Sequence, residues 1–224
     1  MRILTSFILL MSVKIFGTLF YRLKIGWLSG IKNDYKKVRL IIFLNHTSLY
    51  EPLFISALPT WFIFRLARKM VAPAADKTLD RPIVGFFWKL LSPGMISITR
   101  RRDKSWTSFL DKIHDRSIIV IAPEGRMKRE SGLDKDGKPM TVRSGVADII
   151  KELDEGKMII AYSGGLHHVQ HPGEKIPRLF KSIKLNIEIL EISDYKKQFT
   201  SEGIEFKKNV VSDLENRLKQ NCPQ

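Results

Sequence analysis

Cysteine is almost missing from this 224-residue chain, and the single one, Cys222, lies in the terminal tail. That excludes an intrachain disulfide and a cysteine metal cluster, and it fits a reducing compartment. Acidic residues are scarce beside basic ones: 23 Asp and Glu against 38 Lys and Arg give a formal net charge of +15. Such a balance implies an anionic partner, either nucleic acid or an anionic membrane surface. Nucleic acid is not expected, because the chain has no helix-turn-helix pattern, no aromatic RNA-binding motif and no zinc-finger spacing. Internal repeats, low-complexity tracts and a Gly-x-Ser-x-Gly elbow are missing as well, and the last absence argues against a serine hydrolase. His167, His168 and His171 stand close together, but only Glu174 is near them, so no metal site is expected.

What the chain does have begins with an apolar run, Phe7 to Tyr21, that is hydrophobic nearly all round a helical wheel. It is short of the roughly 20 residues a spanning helix needs, and Lys14 lies near its middle. The favoured reading is an interfacial or partly inserted helix with Lys14, Arg22 and Lys24 at headgroup level. A core helix, a signal peptide and a true span remain the alternatives. The division that follows is a membrane-associated helical segment over residues 1–34 and one α/β domain over 35–224, on the cytoplasmic face of a membrane.

Beyond a polar, basic connection at 29–37, strands alternate with helices. Strands are expected at Val38–Leu44, Trp61–Arg68, Met95–Thr99, Ser117–Ala122, Met158–Tyr162 and Ile183–Ile192. Helices are expected after Glu51-Pro52, at Pro82–Leu91, Asp103–Asp115 and Ser144–Leu153, and along Phe206, Val210, Leu214 and Leu218, which recur every four residues. The charged stretch Lys128–Met140, with Gly132 and Gly137, reads as a loop. This alternation means α/β with a mostly parallel sheet flanked by helices.

Two strand ends carry reactive residue types. Val38–Leu44 runs into Asn45-His46-Thr47-Ser48-Leu49-Tyr50-Glu51-Pro52, and Ile118–Ala122 runs into Pro123-Glu124-Gly125-Arg126. Ligands of open α/β sheets bind outside the carboxyl ends of strands. The pair therefore points to one site, with a histidine and a carboxylate on one side and an arginine in a glycine-containing turn on the other. Five residues correspond to about 140° on a helix, so His46 and Glu51 need a bend between them. Pro52 favours one, since it disfavours helical geometry at Glu51 and can open a helix at itself. A purely structural alternative is a capping box, Ser48-x-x-Glu51.

These segments resemble the conserved blocks of the glycerolipid acyltransferases, the glycerol-3-phosphate and lysophosphatidate type. The first is similar to Asn-His-x-x-x-x-Asp, with Glu51 in place of aspartate, and the second to Pro-Glu-Gly-Thr-Arg, with the threonine absent. Gly94-Met95-Ile96-Ser97-Ile98-Thr99-Arg100 is similar to Gly-x-Ile-x-Ile-x-Arg, and Arg143-Ser144-Gly145 to Lys-x-Gly. The four blocks stand in the family's order across roughly residues 35 to 170.

The resemblance implies transfer of an acyl group from acyl-CoA or an acyl carrier protein to a hydroxyl of a lysophospholipid, glycerol phosphate or related lipid. No cofactor beyond that thioester is expected. His46 would be the general base and Glu51 the carboxylate that orients it. Arg126 and Arg100 would bind the acceptor phosphate. Gly125 would let the backbone approach the ligand, and Glu124 would hold the loop or contact an acceptor hydroxyl. Ser163-Gly164-Gly165 would border the pocket or form a plain turn, and the Met, Phe and Trp residues at 86–95 would line an acyl groove or sit in the core. The competing function is a non-catalytic basic protein that binds a membrane surface or nucleic acid, a role that gives no reason for His46 and Glu51.

Overall fold

The computed structural model describes residues 1–224 apart from 31, 100–102, 115, 172–173, 175 and 224. Seven strands form one sheet among the described residues: β1 (Arg22–Trp27), β2 (Val38–Leu44), β3 (Met70–Ala75), β4 (Gly94–Ile98), β5 (Ile118–Ile121), β6 (Lys157–Ser163) and β7 (Ser182–Glu191). Their order is β1-β7-β6-β2-β5-β3-β4, and every neighbouring pair is parallel except β6 with β7. The helices are α1 (Arg2–Phe20), α2 (Thr60–Lys69), α3 (Asp76–Leu79), α4 (Pro82–Leu91), α5 (Lys104–Leu110), α6 (Gly145–Glu152), α7 (Ile192–Lys197) and α8 (Gly203–Asn221), with a 3₁₀ helix at Glu51–Ala57. The mostly parallel α/β reading is correct.

β2 is the organising strand. It alternates strictly, with Leu40, Ile42 and Leu44 fully buried and Ile41 and Phe43 half-buried. The first three pack with Val146 and Ile150 of α6 and Val210 and Leu214 of α8. Each such side chain contributes about 1.5–3 kcal/mol on full burial, so this layer is the solid half of the molecule. Ile41 and Phe43 face the other layer, covered by α1, the 3₁₀ helix, α2 and α4.

Three expectations change. Trp61–Arg68 is helical: Phe62, Ile63, Leu66 and Ala67 are its buried residues, at the spacing of one helix face, and Pro59 precedes the first turn. The strand lies just after it, at Met70–Ala75, where Pro73 masked it; β5 pairs with only Met70 and Val71, so a proline farther on is tolerated. Finally, Arg22–Trp27 is a strand paired along its whole length with β7. The sheet therefore reaches into the segment read as helical, and the α/β body begins just after Tyr21 rather than at residue 35.

The apolar N-terminal helix is longer than the run that announced it, and it docks on the body. Leu10 is buried, Ser6 Oγ donates to the Leu91 carbonyl at 2.6 Å, and a Cβ on Gly17 would lie 3.2 Å from the Leu53 carbonyl oxygen. Lys14, expected among headgroups, instead donates to the Leu58 carbonyl just past the 3₁₀ helix.

Candidate active site

The loops after β2, β5 and β6 meet at one edge of the sheet. Asn45 leaves β2 in the left-handed region, φ 63°, which an asparagine tolerates better than most residues. Its side-chain amide donates to the Ser163 carbonyl at 2.7 Å and accepts from Lys128 Nζ at 3.3 Å. His46 is fixed by its own backbone: its N–H donates to Glu124 Oε2 at 2.7 Å, and its carbonyl accepts from the Lys128 N–H at 2.7 Å. Of the two roles open to Glu124, the geometry gives the first, holding one loop against the other. Ser163-Gly164-Gly165 belongs to this bracing as well: Ser163 takes the Asn45 amide on its carbonyl and the Gly165 N–H on its Oγ, and the N–H of the next residue, Leu166, donates to Thr47 Oγ1 at 2.9 Å.

His46 Nδ1 is hydrogen-bonded to Glu51 Oε2, while Glu51 Oε1 accepts from the Thr47 and Ser48 N–H groups at 2.6 and 3.3 Å. The capping box does not form, since Tyr50 is the residue that caps the 3₁₀ helix and Ser48 Oγ accepts from the Tyr50 N–H; Glu51 instead spans the bend, one oxygen on the imidazole and the other on the backbone. A carboxylate only accepts, so the imidazole carries its proton on Nδ1 and presents Nε2 as a lone pair. Burial pulls the imidazole pKa down, but the charge and hydrogen bond of Glu51, with the charge of Glu124, outweigh it and leave the value above normal. Burial likewise pushes the Glu124 carboxyl up.

The pair opens onto a cavity of about 660 Å³. Ile41, Phe43, Leu10, Trp88, Leu91 and Ile159 are among its walls, so the segment at 86–95 reaches the groove through Trp88 and Met95, whereas Phe86 is exposed. Ile41 and Phe43, on the face of β2 that looks into this layer, line the cavity whose rim carries His46 and Glu51. A largely apolar cavity of that volume beside an oriented imidazole suits a hydrocarbon chain with a reactive head. A model of the acyltransferase family matches residues 27–163. The chain belongs to the acyltransferase family.

The fold is similar to that in the crystal structure of the 1-acyl-sn-glycerophosphate (LPA) acyltransferase PlsC from Thermotoga maritima, with a TM-score of 0.56 and 19% sequence identity over 96% of this chain and 81% of that one. Comparison with curated proteins finds no match.

The polar mouth of this acyltransferase holds a surprise. Gly125 takes φ 69°, a conformation that calls for glycine, and a Cβ there would lie 3.1 Å from Arg143 Nε, so the turn and that side chain stand close together. Arg126 also lines the mouth, but its Nη1 donates to Asp134 and Asp136, and its Nε is buried with no partner among the described residues. Asp134 is itself built in. Its Oδ1 accepts from the Lys138 and Asp136 N–H groups at 2.9 and 2.8 Å, and these bonds, with Arg126, hold its carboxyl at about 2.

Arg100, assigned to the same phosphate, lies outside the described residues. Sequence reasoning passed over Arg143, although its block was recognised. It is exposed at the mouth, its Nε 3.4 Å from the Glu124 carbonyl, with no carboxylate partner among the described residues. The described residues hold no cluster of three metal-ligating side chains; His167 instead bonds the Lys128 carbonyl through Nε2 at 2.7 Å.

Proposed function

We propose that this acyltransferase moves a fatty acyl group from a thioester, acyl-CoA or acyl carrier protein, to a hydroxyl of a lysophospholipid, glycerol phosphate or related lipid. The observation that carries the reading is the His46–Glu51 pair at the mouth of the apolar cavity. With the acyl chain in the slot, the thioester carbonyl stands near Nε2. The acceptor hydroxyl attacks that carbon while His46 takes its proton. The C–O bond forms, the C–S bond breaks, and the departing thiolate recovers the proton from the imidazolium. Glu51 fixes the tautomer and stabilises the imidazolium between those steps. No serine nucleophile takes part, because the acceptor itself attacks.

Membrane association belongs to the same reading. α1 is long and apolar enough to cross a bilayer by length and composition, yet one side of it is docked on the body. Leu4, Ile8, Ile15 and Leu19, at helical spacings of four, seven and four, form an exposed stripe. Phe64 of α2, also exposed, meets Phe7 edge-on with ring centroids 5.3 Å apart. This continuous apolar face on a strongly basic body suits insertion into one leaflet of an anionic, cytoplasm-facing membrane.

The test is to incubate purified protein with radiolabelled acyl-CoA, or acyl carrier protein, and a panel of lysolipids, then resolve the products. Label in a diacyl product supports the reading. Label appearing only as free fatty acid would identify a thioesterase instead.

A further inference from the structure

Arg126 sits where the sequence places an acceptor phosphate, yet two carboxylates already occupy it. Asp134 is almost fully buried and pinned by two backbone N–H groups, so it is no displaceable surface charge. Asp136 is exposed, and its second oxygen meets the surface Lys135 at 3.2 Å. The four charges cancel, which leaves no spare cation in the cluster. The chain here is also one residue shorter than the block it resembles, bringing the arginine directly after Gly125. Beside this neutral cluster stands Arg143, the uncompensated cation of the mouth among the described residues.

We propose that Asp136, supported by Asp134, sets acceptor selectivity by filling Arg126, and that Arg143 is the cation that meets the acceptor anion. The preferred acceptor is then a lysophospholipid whose phosphate is a singly charged diester. A phosphomonoester carries about −1.5 to −2 at neutral pH and has to approach two carboxylates to reach Arg126. A diester carries one negative charge, matched by one guanidinium. The proposal rests on the acyl-transfer reading of the same site.

The experiment compares lysophosphatidate, a monoester, with lysophosphatidylglycerol, a diester, in vesicles of fixed composition. Wild-type kcat/KM is expected to favour the diester by about tenfold, the scale of one exposed charge pair. Asp136→Asn, at an exposed position, should raise kcat/KM for the monoester toward that of the diester while changing the diester little. Arg143→Ala should raise the diester KM several-fold at nearly constant kcat. A wild-type preference for lysophosphatidate, or an unchanged ratio in Asp136→Asn, overturns the proposal, as does an unchanged diester KM in Arg143→Ala. Equilibrium binding of the same two lysolipids to His46→Ala protein separates the two readings. Tighter diester binding without any wild-type transfer sinks acyl transfer and leaves the selectivity standing; equal or reversed binding alongside wild-type turnover sinks the selectivity alone.

Discussion

Two opposing influences hold the His46 imidazole. Burial favours the neutral ring, and the carboxylates of Glu51 and Glu124 favour the charged one and win. A base must be neutral to accept a proton, so kcat/KM should fall as pH drops through a value above the usual 6.5 or so of histidine. Glu51→Gln removes the carboxylate with the greater effect on the imidazole, so the acidic limb should move to lower pH while the maximum rate drops, though less far than in His46→Ala. Glu51→Asp, the residue of the resembled block, should stay active. A pH–rate profile measures all three, and an acidic limb that stays in place in Glu51→Gln would mean that another group titrates. This pair was legible in the sequence because strand, histidine, carboxylate and proline all lie within fifteen residues. The hold of Asp134 and Asp136 on Arg126 was not. It spans a charged loop in which Asp134, Lys135, Asp136 and Lys138 read as solvated surface, and only the folded turn aims two of them at the arginine.

Elements with an unbroken pattern were readable, and those with a mixed one were not. β2 and α8 announce themselves by a nearly unbroken apolar run and by apolar residues every four positions. α2 is rich in aromatic residues that also favour strands, and β3 carries a proline, so the first reads as a strand and the second is passed over. β1 was missed because its basic alternation at a sheet edge, Arg22-Leu23-Lys24-Ile25, looks like a headgroup-facing linker. α1 was recognised as apolar, but its docking through Ser6, Leu10 and Gly17 depends on partners far along the chain. The two faces of α1 make separate predictions. Changing Leu4, Ile8, Ile15 and Leu19 to glutamine should leave circular dichroism unchanged and release the protein from vesicles in a flotation assay, since each buried side chain contributes about 1.5–3 kcal/mol of binding. Gly17→Leu should destabilise the fold, by about 1–3 kcal/mol for an overpacked contact. If the glutamine variant floats like the wild type, the membrane face lies elsewhere.

At the scale of the whole molecule, one layer of the sheet is tightly packed and the other encloses a slot. Ile41 lines that slot, so Ile41→Trp should fill part of it and shorten the preferred acyl chain without abolishing transfer of short ones. A donor series of increasing length, assayed at one acceptor concentration, measures this, and a profile unchanged from wild type would place the chain outside the cavity. The net charge of +15 is expected to strengthen binding to anionic over neutral vesicles, and salt should erode that part of the binding within a Debye length of about 10 Å at 0.1 M. Acyl transfer through His46 is the central claim. The most direct test is single-turnover transfer of radiolabelled acyl groups to a lysolipid by wild-type and His46→Ala protein with matching circular dichroism. The account predicts a diacyl product from the wild type and a rate about 10²–10⁴-fold lower from the variant. Near-normal transfer by folded His46→Ala protein would contradict it.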